Sequence, residues 1–122
     1  GVSMFIDWNL VLDYKGGPNH AKNYCNSLIM IDKKGKDFIK TPAFYYVSHL
    51  AKYVKPKAKR IHFNKFSEKF SISAFQNPDK SVIIILLNKT DKSIEYNLCY
   101  QQYMFHDNLD SHAIVTYVIR KD

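Results

Sequence analysis

The sequence predicts a mainly β chain with one principal helix, in which a strand–loop–helix unit precedes an antiparallel β-sandwich. Three observations predict it. An apolar run near the start, Met4-Phe5-Ile6, leads through Trp8 into a loop containing Gly16-Gly17-Pro18. A single stretch, opening at Thr41-Pro42, carries apolar residues at helical spacing. From residue 58 onward, short apolar or alternating runs separated by polar turns replace that spacing altogether.

Met4-Phe5-Ile6 does not alternate, which fits a parallel strand buried on both faces. Such a start reads as a strand within a larger fold, and the first eight residues show neither a basic leader nor a long apolar stretch of the signal-peptide kind. The glycines and proline at 16–18 end the strand. Leu28-Ile29-Met30-Ile31 and Phe38-Ile39 flank the polar turn Lys33-Lys34-Gly35-Lys36 and read as a small hairpin within the loop. Thr41 offers a hydroxyl at the helix cap, and Pro42 sits in the first turn, where a missing N–H costs nothing. Phe44, Val47, Leu50/Ala51 and Val54 then predict a buried helical face, and Lys55-Pro56 ends it. Strand, loop and helix make one β/α unit, whereas a closed barrel needs eight.

The candidate strands of the second section are residues 60–63, 69–76, 82–88, 94–100 and 113–119. Phe70, Ile72 and Ala74 alternate with serines, and Ile94, Tyr96, Leu98 and Tyr100 alternate with polar residues, as half-buried strands do. Ile83-Ile84-Ile85-Leu86-Leu87 is continuously apolar, so both faces of that strand should be covered. Asn77-Pro78-Asp79-Lys80 and Thr90-Asp91-Lys92-Ser93 are the turns.

A composition of 46% hydrophobic and 15% aromatic residues in 122 belongs to a folded chain with a modest core. No apolar run approaches the roughly 20 residues of a membrane span. The formal charge is +7, but its lysines are scattered over turns and strand ends, including Lys33, Lys55, Lys80 and Lys92, with no basic stripe on the helix. That pattern is a solvated surface and disfavours nucleic-acid binding. Cys25 and Cys99 are too few for a disulfide framework and are expected as free thiols. His20, His49, His62, His106 and His112 lack metal-site spacing, so neither a metal site nor a cofactor is expected. Asn88-Lys89-Thr90 matches the N-glycosylation pattern, a short match frequent by chance.

The run from Trp8 to His20, Trp-Asn-Leu-Val-Leu-Asp-Tyr-Lys-Gly-Gly-Pro-Asn-His, with Asn23-Tyr24 after it, is the most informative stretch. It resembles the last strand and loop of the catalytic barrel in glycoside hydrolase family 30, the glucosylceramidase family. Pro42-Ala43-Phe44-Tyr45-Tyr46, the segment from His49 to Pro56, Asn77-Pro78-Asp79 and the run from Val82 to Asn88 continue the match in the family's order. The resemblance covers essentially all 122 residues. It implies that residues 1–57 are the last strand, substrate loop and helix of a (β/α)8 barrel, a TIM barrel, and that residues 58–122 are the accessory β-sandwich. In the family, part of that sandwich comes from sequence before the barrel, so its edge should be incomplete here.

The resemblance also implies a chemistry. Retaining glycosidases use two carboxylates about 5–5.5 Å apart, one protonating the leaving oxygen and the other attacking the anomeric carbon. In the family both are glutamates on earlier barrel strands. Glu68, in the polar stretch Ser67-Glu68-Lys69, and Glu95, facing outward between Ile94 and Tyr96, match neither motif and read as surface groups. No catalytic residue is therefore assigned, and the chain alone is expected to be inactive. The substrate-binding candidates are Trp8, whose indole offers an apolar face and one N–H donor; Asn23, whose amide donates and accepts; and Tyr24, on the aglycone side. Asn9 is expected to bond loop backbone, and Asp7 and Asp13 to accept loop N–H groups. The partners implied are a β-glucoside or glycolipid substrate in the complete enzyme, and either the remainder of the barrel or a second copy at the exposed edge. The alternative is a non-catalytic sandwich remnant that binds glycans or a protein.

Overall fold

The computed structural model describes residues 4–18 and 20–120. Residues 1–3 and Asn19 of the loop motif lie outside the described residues. The chain forms two compact units, Gly1–Ser48 and His49–Asp122, which divide within the helix.

In the first unit, β1 (Val11–Leu12) pairs in parallel with β2 (Ile29–Ile31), which pairs antiparallel with β3 (Phe38–Lys40). The β2–β3 hairpin is the expected one, with Ile29 opposite Lys40 and Ile31 opposite Phe38. Its turn is held by Asp32, whose carboxylate accepts from the Lys36 N–H at 2.9 Å, and by Gly35 at φ +66°. The expected strand at Met4-Phe5-Ile6 is not formed: these residues join no ladder and are exposed. A strand exists only where a neighbour takes its backbone groups, and none of the described residues does so here. The parallel pairing of β1 with β2 was not foreseen.

The helix α1 (Pro42–Tyr53) starts and stops within the expected limits. Two details differ. The Thr41 hydroxyl does not cap the helix but donates toward the carbonyls of Ser27 (2.9 Å) and Leu28 (3.2 Å). The expected buried face is absent as well, because no α1 residue is buried and Leu50 is 46% exposed. A barrel helix buries its stripe against the strands around it, and the described residues supply too few of them.

The second unit contains a four-stranded antiparallel sheet in the order β4 (Lys59–Arg60), β5 (Phe70–Gln76), β6 (Val82–Asn88), β9 (Ile114–Ile119). Its second layer is a two-stranded hairpin, β7 (Ile94–Tyr100) and β8 (Tyr103–Leu109). Phe70, Ala74, Val82, Ile84, Leu86 and Leu109 form the core, packed by Ile72, Tyr96, Leu98, Val115 and Tyr117. The continuously apolar strand is covered on both faces, as expected. Val82, Ile84 and Leu86 face the core, and Ile83, 1% exposed, points to the other side. On that side His49 of α1 lies 2.7 Å from the hydroxyl of Thr116, the cross-strand partner of Ile85.

Two strand expectations are corrected. The strand expected at 60–63 is only Lys59–Arg60, with one further bond from the Ile61 N–H to the Ala74 carbonyl. Beyond it the chain leaves the sheet edge, and Phe63 and Phe66 line a groove of about 650 Å³ with Ile72, Leu98 and Met104. The groove is open because the second layer has only two strands, and Phe66 is 98% exposed. The strand β8 went unforeseen. Its residues are exposed except Leu109, and the Gln101-Gln102 turn before it takes a φ of +55° without glycine or asparagine. Among the described residues no helix is long and apolar enough to cross a membrane.

Candidate functional site

The site candidates lie in the first unit, where Asp13 folds the loop after β1 back on itself. Its carboxylate accepts from the N–H groups of Lys15 (2.8 Å) and Gly17 (2.9 Å), while its own N–H donates to the Gly17 carbonyl at 2.6 Å. Those donors, Gly17 foremost and then Lys15, hold the Asp13 carboxyl below its usual range. Asp13 thus serves the loop backbone as expected, and Asp7 does likewise by accepting from the Trp8 N–H at 2.8 Å.

Gly16 is the second fixed point. Its φ is +83°, and a Cβ there would run into the Cys25 carbonyl. The Gly16 carbonyl in turn accepts from the Cys25 N–H at 3.1 Å. The segment between Gly17 and Cys25 is therefore pinned at both ends, and it carries His20, Asn23 and Tyr24 to the surface. From Cys25 the chain returns to the sheet, where the Ser27 hydroxyl donates to the Ile29 carbonyl at 2.5 Å and the Ile29 N–H donates to the Leu10 carbonyl at 3.0 Å.

Trp8 is 84% exposed and Tyr24 57%, with Asn9 and Asn23 exposed too. The Trp8 indole is thus not a core side chain among the described residues. The sulfur of Cys25 lies 3.4 Å from the Asn23 carbonyl. Both cysteines are free thiols. The ammonium groups of Lys15 and Lys33 lie 5.5 and 5.7 Å from the centre of the Tyr14 ring. Among the described residues no three His, Cys, Asp or Glu side chains gather as a metal site would require.

The two glutamates sit in the second unit. Glu68 pairs with Lys65 at 2.8 Å, which holds its carboxyl below the usual range, and Glu95 projects into solvent from β7. A general acid needs the opposite shift. Sequence reasoning missed a polar cluster nearby, where the Tyr117 hydroxyl donates to Asp107 at 2.6 Å and lies 2.5 Å from the Tyr96 hydroxyl. The unrecognised strand β8 carries Asp107, so no sequence signal joined the three. Two asparagines, Asn77 of a turn and Asn88 of the Asn-Lys-Thr match, are buried, which their sequence context does not signal.

Comparison with known proteins divides the chain in two. Residues 2–54 match the glycosyl hydrolase family 30 TIM-barrel domain, and residues 57–117 match the glycosyl hydrolase family 30 beta sandwich domain. The chain is 28% identical to mouse lysosomal acid glucosylceramidase over 122 residues, which is 98% of this chain and 24% of the mouse protein. It is 34% identical to putative glucosylceramidase 4 of Caenorhabditis elegans over 92 residues, 74% of this chain and 18% of that protein. Among solved structures, SrfJ from Salmonella typhimurium superposes with a TM-score of 0.90 at 25% identity, over 97% of this chain and 26% of SrfJ. The chain thus spans between 18% and 26% of the length of these relatives.

Proposed function

The chain belongs to glycoside hydrolase family 30, and from that premise we propose that it is the C-terminal segment of a retaining β-glycosidase of glucosylceramidase type. In this reading residues 1–57 are the barrel's last strand, substrate loop and helix, and residues 58–122 the accessory sandwich, a division supported by the two matched ranges. The observation that carries it is the pinned loop between Gly17 and Cys25, which with Trp8 holds an indole, an amide and a phenol outside the core.

Each group has a task that follows from its chemistry. The Trp8 ring takes the C–H face of the sugar and donates one hydrogen bond to a hydroxyl. The Asn23 amide donates to one hydroxyl and accepts from another, and Tyr24 lines the aglycone side. The acid and the nucleophile come from the rest of the barrel, since Glu68 is tied to a lysine and Glu95 is solvated. That remainder also covers Met4, Phe5 and Ile6, whose exposure otherwise favours pairing with a second copy. The glucosylceramidase names of its relatives support a β-glucoside or glycolipid as substrate.

The test is to assay the complete barrel carrying Trp8→Ala, Asn23→Ala or Tyr24→Ala. Loss of the stacked indole should weaken kcat/KM roughly fivefold or more, from about 1 kcal/mol of stacking. Unchanged kinetics in all three folded variants would remove the loop from the sugar wall. The second reading, a non-catalytic binding remnant, draws on the open groove lined by Phe63, Phe66 and Met104. Turnover on completing the barrel would exclude it.

A further inference from the structure

Asn88-Lys89-Thr90 is the one Asn-x-Ser/Thr match in the sequence, and the fold treats its three residues differently. Lys89 is exposed and Thr90 half-buried, whereas Asn88 is 0% exposed at the end of β6. The Asn88 side-chain nitrogen faces three carbonyls, those of Lys92 (2.7 Å), Leu109 (3.0 Å) and Asp110 (3.0 Å). Its Oδ1 accepts from the Thr90 N–H at 2.9 Å and lies 2.9 Å from the Thr90 hydroxyl. One side chain thus closes the β6–β7 turn and fastens it to the end of β8, the strand that completes the second layer. The Asn88 backbone N–H continues the fastening by donating to the Ala113 carbonyl at 3.0 Å.

N-glycosylation uses the same nitrogen. A bond forms between Nδ2 and the anomeric carbon of an oligosaccharide carried on a lipid diphosphate. The bond from that carbon to the diphosphate oxygen breaks, the diphosphate leaves as the anion, and Nδ2 gives up one proton. The product nitrogen keeps a single N–H for three buried carbonyls, and a sugar ring would have to occupy a place with no exposed surface. Leaving buried acceptors unpaired is costly, and displacing the turn would open the layer that Leu109 closes over Phe70 and Ile84. A glycan is tolerated on surface loops, where the asparagine amide is free to project.

We propose that Asn88 is a glycan acceptor in the unfolded chain only, so that glycosylation at this position and closure of the sandwich exclude each other. The inference is independent of the catalytic reading, because it involves only the second unit. It gives the sequence a decision point: a chain that meets an oligosaccharyl transferase before β6, β8 and the turn have assembled is diverted from folding, and one that folds first is immune.

The experiment offers the full chain to an oligosaccharyl transferase with its lipid-diphosphate donor, either native or carrying Ile83→Asp to unfold it, and maps the product by mass spectrometry. Modification at Asn88 is expected in the unfolded variant and abolished there by Asn88→Gln. In the native chain it should be at least about a hundredfold slower, because only the locally open form presents the amide. Equal rates for the two, or no modification of either, would overturn the proposal. In a second arm the chain is translated into microsomes, and its glycan-bearing and unmodified fractions are exposed to protease. The glycan-bearing fraction should be digested faster; equal protection of the two fractions would overturn the proposal as well.

Discussion

The side-chain amide of Asn77 donates to the main-chain carbonyl of Tyr53 across 3.0 Å. That carbonyl belongs to the last residue of α1, where no further turn of helix is available to satisfy it. The same side chain accepts from the Lys55 N–H at 2.9 Å and donates to the Ser81 hydroxyl at 3.1 Å. A residue in the β5–β6 turn thus caps a helix 24 positions earlier. Asn77→Ala should cost about 2–3 kcal/mol, since it strands a carbonyl and an N–H in a buried place. Asn77→Asp should be no milder, because a carboxylate keeps the Lys55 bond but repels the Tyr53 carbonyl. Urea denaturation midpoints of the three proteins check this, and an unchanged midpoint for Asn77→Ala would show that water serves both groups.

Two glycines separate conformational strain from collision. Gly35→Ala meets open space at φ +66° and should cost about 1 kcal/mol for the left-handed backbone alone. Gly16→Ala adds the contact with the Cys25 carbonyl and should cost more, while freeing the loop that bears Asn23 and Tyr24. Hydrogen exchange at Cys25, whose N–H donates to Gly16, should accelerate in Gly16→Ala and stay as in the parent in Gly35→Ala.

Burial lowers the pKa of His49 below the usual 6.5. The unfolded chain then binds a proton that the folded chain refuses, so stability is fully present above pH 6.5 and declines as the pH falls through that value toward the folded pKa. His49→Gln should flatten the dependence of stability on pH between about 7.5 and 5.5, by no more than about 1.4 kcal/mol per pH unit. Chemical denaturation at stepped pH checks it, and parallel profiles for the two proteins would sink the assignment to His49.

The tyrosine cluster has an alkaline signature. Because the Tyr117 proton goes to Asp107, the Tyr96 hydroxyl is left to donate to the Tyr117 oxygen. Burial first, and the Asp107 carboxylate beside it, push Tyr117 far above the usual 10, and burial raises Tyr96 as well. Both phenols should stay protonated as the pH passes 10. The stability they carry is present below pH 10 and lost as the pH rises beyond it. Ultraviolet titration of the folded chain should therefore show a late phase that coincides with unfolding, reduced in Tyr117→Phe.

Without the remaining barrel, the chain should not hydrolyse an aryl β-glucoside. Activity that survives both Glu68→Gln and Glu95→Gln would point to another catalytic group, and activity lost in either would mean that a solvated glutamate had been misjudged.

Local chemistry made much of the fold legible. The alternation of Phe70, Ile72 and Ala74, the unbroken run through Ile83, the polar hairpin turn around Gly35 and the Pro42-to-Pro56 limits of the helix all reappear in the structure. The strand β8 did not show itself because its side chains face solvent and its turn lacks the residues that usually announce one. The loop's motif put Trp8, Asn23 and Tyr24 forward as binding candidates, and all three are exposed; the pinning of that loop by Asp13 and Gly16 needed the structure.

By itself, then, the sequence determined the order and kind of most elements and the family, because periodicity, turn chemistry and motif order are written along the chain. Tertiary structure alone decided whether an apolar stretch becomes a strand, as at Val11–Leu12 but not at Met4-Phe5-Ile6. It alone decided which polar side chains are buried hubs, as for Asn77 and Asn88. The reason in each case is that a backbone group or an amide is satisfied by a partner distant in sequence, and local composition carries no record of that partner.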